Sequence, residues 1–203
     1  MSAQPKPHVT EDEYLAFERA SMTKHEYYHG QIYAMTGASE PHNLIATNTI
    51  ASLHSQLRHT SCRVYPSDMR VKIQQTGLYT YPDIMIICGQ PQFTDDALDT
   101  IVNPTVIIEI LSPSTERYDR GMKFHHYRTI ETLRDYLLIA QDCRSIEHYT
   151  RQNSEQWLFQ AVAGRENHIV FESIQCTLAL EDVYEKVELE QEDAGIPREI
   201  PPE

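Results

Sequence analysis

The chain has 203 residues, of which 40% are hydrophobic and 23% are charged, and its formal net charge is −13. The length suits one domain with a substantial core, and the composition is that of an ordinary folded protein rather than a disordered one. The acidic balance gives no support for tight, non-specific binding to nucleic acid.

Membrane and secreted classes are not favoured either. The apolar run Ile84–Cys88 is far shorter than the roughly 20 residues of a membrane helix. The first nine residues contain no apolar region of the kind found in secretory signals. The cysteines lie far apart without a Cys-x-x-Cys pair, which predicts reduced thiols in a cytoplasmic protein and argues against a zinc ribbon or a disulfide framework. They are Cys62, Cys88, Cys143 and Cys176.

The first 60 residues have the pattern of a helix, a hairpin and a second helix. Thr10 and Glu13 have the spacing of a capping box, which predicts a helix start. The second helix carries apolar residues at helical spacing after an opening proline. In chain order we expect a helix from Thr10 to about Arg19, a hairpin over 24–35 that turns at His29-Gly30, and a helix over 41–58 opened by Pro41.

Strands dominate the rest of the chain. Apolar and β-branched runs bounded by turn residues are typical of strands. Their order with the helices predicts a mixed α/β fold, in which one helix crosses between two strands of the same sheet. We expect strand-like runs over 62–73 and 79–88 with Gly77 in the turn between them, a polar loop over 89–103, a strand over 106–111, a helix over 116–130, strands over 135–140, 145–151 and 156–162, and a helix over 180–187.

The C-terminal segment is strongly acidic. Residues 181–203 contain nine acidic and two basic residues, which account for −7 of the net charge of −13. Residues 188–203 also contain prolines and few apolar side chains, so this stretch can bury little surface. We expect residues 1–187 to form the one domain and residues 188–203 to be a disordered tail.

Glu109 is the only charged residue in an otherwise apolar strand. Strands buried on both faces are near-continuous apolar runs, and an ionised carboxylate is costly there unless a cation or strong hydrogen-bond donors meet it. Glu109 shares one strand face with Ile107 and Leu111, because side chains alternate. A sheet-edge position or a structural arginine partner would also explain this residue.

Asp83 is a second acid in a comparable setting. It follows Pro82 and precedes five largely apolar residues, so it stands where a strand begins. If Asp83 and Glu109 enter adjacent buried strands, they could face each other and share a hard cation, because Mg²⁺ is usually held by one or two carboxylates. A structural ion pair explains the two acids equally well at this point.

A cation for these acids is available on the helix predicted over 116–130. A helix that returns over the sheet after the strand of Glu109 brings Lys123 back near that glutamate, across a layer gap of about 10 Å. The alternative is an exposed Asp119–Lys123 pair worth only about 0.3–0.5 kcal/mol. At about 100° per residue, the residues on the face of this lysine are Asp119, Lys123, His126, Tyr127 and Ile130.

Three linked strings carry a family resemblance. They are "YPDIMIICG", "NPTVIIEILSPSTERYDRGMKFHHYR" and "LRDYLLIAQD". Together they resemble the Uma-two family of endonucleases, within the PD-(D/E)XK restriction-endonuclease-like superfamily, and the resemblance covers most of residues 10–185. It implies an α/β fold with a restriction-endonuclease-like mixed β-sheet flanked by helices, and an enzyme that hydrolyses phosphodiester bonds.

The resemblance also implies roles for individual residues. Asp83 and Glu109 match the metal-binding acids, and the carbonyl of Ile110 is expected to join them in holding Mg²⁺, for which Mn²⁺ can substitute. One position departs from the superfamily pattern, because the lysine usually found two residues after the glutamate is here Leu111. The family resemblance implies that Lys123 takes over its role from the helix. DNA as the substrate and a homodimer are implied in the same way.

Further residues are weaker candidates for the site. The ten histidines show no spacing that supports a zinc site. Surface positions or hairpin salt bridges would explain several of the candidates equally well. The possible supporting residues are His42 at a helix start, Glu26 and Asp68 in strand-like runs, and Asp119 and Tyr127 on the helix of Lys123.

Two other function classes stay open on the sequence. The main alternative is a catalytically silent module that keeps the nuclease fold and acts in binding or assembly, which Leu111 and the acidic charge favour. The third is a structural protein in which Asp83 and Glu109 are only members of buried ion pairs. Metal-dependent cleavage of DNA would distinguish an enzyme from the silent module. The structural protein would bind no metal ion, so a test of metal binding would identify it.

Overall fold

Two large β-sheets, a two-stranded sheet and the helices packed on them make up the computed structural model, which describes residues 8–189. The elements in chain order are α1 (Glu11–Ala20), β1 (His25–Tyr28), β2 (Gln31–Ala34), α2 (Glu40–Leu57), β3 (Cys62–Pro66), β4 (Arg70–Ile73), β5 (Leu78–Thr80), β6 (Ile84–Cys88), β7 (Thr100–Ile101), β8 (Val106–Leu111), α3 (Glu116–Tyr118), a π-helical turn (Asp119–Lys123), α4 (Phe124–Tyr127), β9 (Asp135–Ala140), β10 (Ser145–Arg151), β11 (Trp157–Ala163), β12 (His168–Phe171), β13 (Cys176–Ala179) and α5 (Leu180–Val183).

The larger sheet has the strand order β11-β10-β9-β8-β6-β3, and the five-stranded sheet has the order β2-β1-β5-β4-β7. In the larger sheet β8 and β9 pair in parallel, and the other neighbouring strands are antiparallel. A parallel pair needs a crossover connection, which the helix after β8 supplies. The predicted α/β class and the predicted crossover are confirmed.

Strand β8 lies between two hydrophobic cores, and all six of its residues are buried. Its side chains alternate between the two faces of the sheet. Ile108 and Ile110 belong to the core that includes α2 and α5, whereas Ile107 and Leu111 belong to the core that includes β4 and α4. Glu109 therefore points to the face that the crossover helix covers.

The N-terminal elements follow their predicted patterns. The Glu13 N–H donates to Thr10 Oγ1 at 3.3 Å and the Thr10 N–H donates to Glu13 Oε2 at 2.8 Å, which completes the capping box of α1. The hairpin turns at His29 and Gly30, both at positive φ, a conformation that two-residue hairpin turns require. The buried stripe of α2 is Ile45, Thr49, Leu53 and Leu57.

Two stretches expected as single strand-like runs are each divided between the two large sheets. The run 62–73 becomes β3 and β4, and the run 79–88 becomes β5 and β6. Pro66 ends β3 and Pro82 separates β5 from β6, because a proline has no N–H to donate to a strand ladder. The second change of sheet leaves Asp83 directly ahead of β6.

Some boundaries also differ from the prediction. The helix expected over 116–130 ends at Tyr127, α5 is a single turn within 180–187, and the four-residue strands β12 and β13 are too short for their pattern to stand out. Gly77 does lie in the turn between β4 and β5, at a φ of 74°. The acidic segment 188–203 lies outside the described residues from 190 onward. Among the described residues, no helix has the length and hydropathy needed to cross a bilayer.

The expectation of four reduced thiols is wrong for two of them. Cys62 and Cys88 form a disulfide. The antiparallel pairing of β3 with β6 places these two residues directly opposite each other. A sequence separation of 26 residues gives no sign of this pairing.

A buried arginine ties the five-stranded sheet to α1. Arg70 of β4 is 2% exposed, and its guanidinium donates to Thr100 Oγ1 at 2.9 Å and to Tyr81 Oη at 3.0 Å. It also lies 3.0 Å from Asp99 Oδ1, while Arg19 Nε lies 2.7 Å from Asp99 Oδ2. The Asp99 carboxylate is thus held between two guanidinium groups.

This carboxylate predicts a contribution to stability that acid removes. The hydrogen bonds from Arg19 lower the pKa of Asp99 to about 2, below the value of about 3.9 for an unfolded chain. A carboxylate with a lower pKa in the folded state stabilises the fold above the unfolded pKa and loses this effect as pH falls from about 4 to about 2. Asp99→Asn should therefore lower the urea midpoint at about pH 6 and have little effect near pH 2.

Asp96→Asn is the matched control, because Asp96 is exposed in the same loop. This variant should leave the urea midpoint unchanged at both pH values. An equal loss of stability for Asp99→Asn at both pH values would contradict the electrostatic explanation.

Candidate active site

Asp83 and Glu109 are neighbours across two antiparallel strands. The register of β6 and β8 pairs Ile84 with Ile108, so the two acids meet one step further along. The Asp83 N–H donates to Glu109 Oε2 at 3.3 Å, and the Ile110 N–H donates to Asp83 Oδ2 at 2.8 Å. The structure therefore brings together the two acids that the sequence places in adjacent strands.

Two donors meet one oxygen of the buried Glu109 carboxylate, and Glu109 is 3% exposed. Lys123 Nζ lies 2.8 Å from Oε1, and the Tyr127 hydroxyl donates to the same oxygen at 2.8 Å. Oε2 is turned towards Asp83 and, within the described residues, accepts only the longer bond from its N–H. The cation and the strong donor that a buried carboxylate requires are both present.

Three carboxylates surround the ammonium group of Lys123, which is 5% exposed. Their oxygens lie 2.8 Å away in Glu109, 3.4 Å away in Asp119 and 3.9 Å away in Glu26. The helix after β8 does return over the sheet, which places Lys123 against a glutamate 14 residues earlier. The Asp119–Lys123 pair is present but buried, rather than exposed as in the alternative interpretation.

A π-helical turn lies in the middle of this helix. Asp119 begins the turn and Lys123 ends it, and π turns are rare and frequently occur at functional sites. The Tyr136 hydroxyl donates to the Asp119 carbonyl at 3.0 Å, which holds the turn against β9. The face predicted from helical periodicity is buried throughout, at Asp119, Lys123, His126, Tyr127 and Ile130.

Glu26 reaches the site from β1, in the other large sheet. Its carboxylate accepts hydrogen bonds from Thr80 Oγ1 and, at 3.3 Å, from the Tyr118 hydroxyl. Sequence reasoning missed both donors. Thr80 is a hydroxyl residue in a strand-like run three residues before Asp83, and it gives only a weak signal because threonine is common in strands. Tyr118 carries no such signal, because the helical pattern assigns it to the outer face.

His42 approaches Asp83 from the first turn of α2. Its Nε2 lies 3.1 Å from Asp83 Oδ2, and the His42 side chain is 14% exposed. The Ile110 N–H donates to the same oxygen. Among the described residues, both contacts with the Asp83 carboxylate thus end at Oδ2, and they leave Oδ1 available to a ligand.

Asp68 does not join this cluster. Its side chain is 84% exposed and pairs with Lys24 at 2.7 Å. The other predicted supporting residues each contact Lys123, Asp83 or Glu109. They are Glu26, His42, Asp119 and Tyr127.

The cluster contains more negative charge than its cations balance. Among the described residues, the carboxylates of Glu26, Glu109 and Asp119 share the Lys123 ammonium, and Asp83 adds a fourth carboxylate beside Glu109. Burial raises the pKa of Glu109, although the Lys123 ammonium opposes this shift. Burial also raises the pKa of Asp119, whose Oδ1 atom is buried without a hydrogen bond.

This excess of carboxylate oxygens fits a hard divalent cation. Mg²⁺ is bound through one or two carboxylates, with other oxygen ligands completing its shell. Among the described residues, no contact with Asp83 Oδ1 is seen, and Glu109 Oε2 accepts only the 3.3 Å bond from the Asp83 N–H. The carbonyl of Ile110 lies on the Asp83 side of β8, because the N–H and C=O of one residue project to the same side of a strand. Within residues 8–189, no set of three or more His, Cys, Asp or Glu side chains has the arrangement of a metal site.

The chain has recognisable relatives. The sequence model of the family Uma2, described as "Putative restriction endonuclease", matches residues 11–181. The uncharacterized protein sll1609 of Synechocystis sp. is 37% identical over 163 residues, which cover 80% of this chain and 92% of the relative. The uncharacterized protein slr1290 of the same organism is 34% identical over 180 residues, which cover 89% of this chain and 93% of the relative.

A solved structure has the same fold. The crystal structure of "a putative nuclease belonging to DUF820" from Anabaena variabilis superposes with a TM-score of 0.70 over 87% of this chain and 97% of that one. The sequence identity is 18%, so the likeness concerns the fold alone. The predicted nuclease-type mixed sheet flanked by helices is confirmed.

The charge excess predicts that one of the acids reduces stability. Asp83→Asn removes a charge that raises the free energy of its neighbours Glu109 and Asp119, while its side-chain oxygen still accepts from the Ile110 N–H. In metal-free buffer at neutral pH, this variant should be more stable by about 1 kcal/mol, which raises Tm by roughly 2–4 °C for a chain of this size.

Asp68→Asn removes the same charge at an exposed position and serves as the control for calorimetry. Its Tm should match that of the wild type, because a surface ion pair contributes little. A lower Tm for Asp83→Asn than for the wild type would show that Asp83 stabilises the fold.

Proposed function

The chain belongs to the Uma2 family, and on this premise we propose that it is an endonuclease that hydrolyses phosphodiester bonds in DNA with a bound Mg²⁺ or Mn²⁺ ion. The observation that carries the proposal is the meeting of two carboxylates from adjacent strands with a buried lysine from the crossover helix. A buried carboxylate cluster with too few cations is typical of a functional site rather than of a stabilising one.

Three groups of this chain would hold the metal ion. They are the carboxylates of Asp83 and Glu109 and the carbonyl of Ile110. The contact of His42 Nε2 with Asp83 Oδ2 and the hydrogen bond from the Ile110 N–H to the same oxygen orient this carboxylate, as outer partners do for many metal ligands. When bound, the ion supplies Lewis-acid chemistry, because it acidifies water and offsets the charge on phosphate oxygens.

Lys123 would act as an ammonium group. Three carboxylates raise its pKa well above the usual range, against the opposing effect of burial. A lysine kept in the charged form can donate hydrogen bonds to a water molecule or to a phosphate oxygen, and it stabilises the negative charge of the transition state. A lysine that stays protonated is a poor base, so we do not assign to Lys123 the removal of a proton from the attacking water.

The position of Lys123 supports the proposal that it replaces the lysine usually found at the position of Leu111. Leu111 is 4% exposed and packs in the apolar core on the face of Glu109. Lys123 contacts the same carboxylate from the helix, so the site keeps an ammonium group beside the glutamate without a lysine at position 111.

Nucleic acid is the substrate class that the family implies, and DNA is our proposal within it. We also propose a homodimer, because two active sites offer the simplest route to cutting both strands of a duplex. We also keep the cytoplasm as the proposed location, because chromosomal DNA is found there in bacteria, although the Cys62–Cys88 disulfide removes the argument from reduced thiols.

A catalytically silent module is the second candidate function. It is favoured by Leu111, which replaces the usual lysine, and by the net charge of −13, which opposes binding to DNA. Such a module would bind metal ions or partners without cleaving DNA.

Cleavage of supercoiled plasmid tests the proposed activity. Wild-type protein should convert the plasmid to nicked and linear forms with Mg²⁺ or Mn²⁺, and should leave it intact in a chelator. Asp83→Ala should abolish cleavage and should also remove the rise in Tm that Mn²⁺ gives the wild type.

Asp68→Ala is the matched control and should cleave like the wild type, since Asp68 pairs with Lys24 away from the cluster. Binding of Mn²⁺ without cleavage would favour the silent module. If Mn²⁺ gave no change in Tm and no cleavage occurred, both the metal site and the activity would be rejected.

The role of Lys123 can be tested by moving the lysine. Lys123→Ala should retain Mn²⁺ binding but slow cleavage by about 10²–10³-fold, the usual loss for one transition-state donor. Adding Leu111→Lys to this variant returns an ammonium group to the face of Glu109 and should restore part of the rate. A folded Lys123→Ala variant that cleaves at the wild-type rate would show that this lysine only balances the charge of its carboxylate neighbours.

A further inference from the structure

Strand β11 is an open edge of the six-stranded sheet. It pairs only with β10, through all seven of its residues. The strand contains no charged residue and no proline, and Leu158 and Phe159 are 58% and 52% exposed. Natural proteins usually guard such an edge with charges, prolines, bulges or a very short strand.

The opposite edge of the same sheet has these guards. Strand β3 carries an arginine at position 63 and ends at Pro66, and α2 packs beside it. The edge strands of the five-stranded sheet are short, with four residues in β2 and two in β7. Among the described strands, β11 is therefore the long edge without protection.

The hydrogen bonds of the flanking turns show which groups of β11 point outward. The Gln152 N–H donates to the Gln156 carbonyl, and the Gly164 N–H donates to the Arg144 carbonyl. Main-chain N–H and C=O groups point to alternate sides along a strand. Those of the even-numbered residues in 156–164 therefore point to β10. The residues whose N–H and C=O groups point to the open edge are Trp157, Phe159, Ala161 and Ala163.

Most of these outward groups have no partner within the described chain. The Ala163 carbonyl accepts a hydrogen bond from Asn167 Nδ2 at 2.6 Å. No described group bonds to the outward N–H and C=O of Trp157, Phe159 or Ala161. The middle of β11 thus offers a ladder of donors and acceptors to an incoming strand.

We propose that the partner of this edge is β11 of a second copy of the chain, paired antiparallel about a two-fold axis at Gln160. In this register each large apolar side chain lies opposite a smaller one, and Gln160 lies opposite its own copy, so that neighbouring side chains fit without crowding. Phe159 and Ala161 exchange both of their main-chain hydrogen bonds, and symmetry repeats the exchange. The opposed pairs are Trp157–Ala163, Leu158–Val162 and Phe159–Ala161.

Charge favours the same register. The chain carries a net charge of −13, which repels a second copy, but residues 156–164 contain no charged side chain. In the turns that flank this segment, the register places Glu155 of one copy opposite Arg165 of the other. Arg165 already pairs with Glu181, yet both side chains are more than half exposed, so its guanidinium can also meet a second carboxylate.

The contact is isologous and limits the assembly to a dimer, because each β11 edge is fully paired with that of the other copy. Two six-stranded sheets join into one continuous sheet. This interface is argued from the sheet edge alone, so it does not depend on the nuclease activity proposed above.

The mass of the full-length protein in solution tests the interface. Wild type should have twice the 23.5 kDa mass of one chain in sedimentation equilibrium at micromolar concentration. Ala161→Pro removes an outward N–H, a position where an edge strand tolerates proline, so the monomer should fold while the dimer dissociates. The dissociation constant should rise by about 30-fold or more, as for a residue at the centre of an interface.

Ala161→Lys provides a second variant that keeps the backbone N–H and adds one positive charge beside each copy of Phe159. It should also yield a monomer. Val170→Lys is the control, because Val170 is 48% exposed on β12, and this variant should remain a dimer. Circular dichroism confirms the fold of each variant.

The register has its own test. Glu155→Arg and Arg165→Glu should each weaken the dimer, and the double variant should recover most of the affinity, because it restores opposite charges across the axis.

Three results would overturn the proposal. The first is a wild-type protein that is monomeric at high micromolar concentration, even if its β11 edge pairs with a strand of another protein. The second is a dimer that persists in the folded Ala161→Pro and Ala161→Lys variants. The third is a Val170→Lys control that dissociates as much as these variants do. A double variant weaker than both single variants would overturn the register at Gln160.

Discussion

The burial of Glu109 against Lys123 is the interaction on which the arrangement of this protein depends. Strand β8 is covered on both faces, so a carboxylate in it needs a cation that comes from outside the sheet. Lys123 can meet it only if the chain crosses back over the sheet directly after β8. That crossover also makes β9 a parallel neighbour of β8, so one ion pair and the central topology are consistent with each other.

The same interaction shows why this site does not serve to stabilise the fold. A single buried ion pair is at best weakly favourable compared with apolar packing. Here Asp119 and Glu26 add carboxylates around Lys123, Asp83 adds another beside Glu109, and an oxygen of Asp119 is buried without a hydrogen bond. Apolar packing elsewhere must offset this cost. Such a local conflict with the rules of folding is expected where selection acts on chemistry.

The parts of this site that the sequence predicts are those that break a local pattern. Glu109 interrupts an apolar run, Asp83 follows a proline at a strand start, and Lys123 lies on a face defined by helical spacing. Glu26 contacts Lys123 only because the five-stranded sheet packs over the crossover helix, and no local pattern carries that information. The pairing of Cys62 with Cys88 was missed for the same reason, since it depends on strand register.

The change of sheet at Pro82 has a consequence for the newly made chain. Glu26 belongs to one sheet and Asp83 and Glu109 to the other, while Lys123 lies in the connection that precedes β9. Domains fold as units while their residues leave the ribosome, and β8 is enclosed only after β9 has emerged. The acids and the lysine therefore cannot form their buried cluster until at least residue 140 has been translated. A truncated product that ends earlier lacks the buried charge cluster, whatever strands it has already formed.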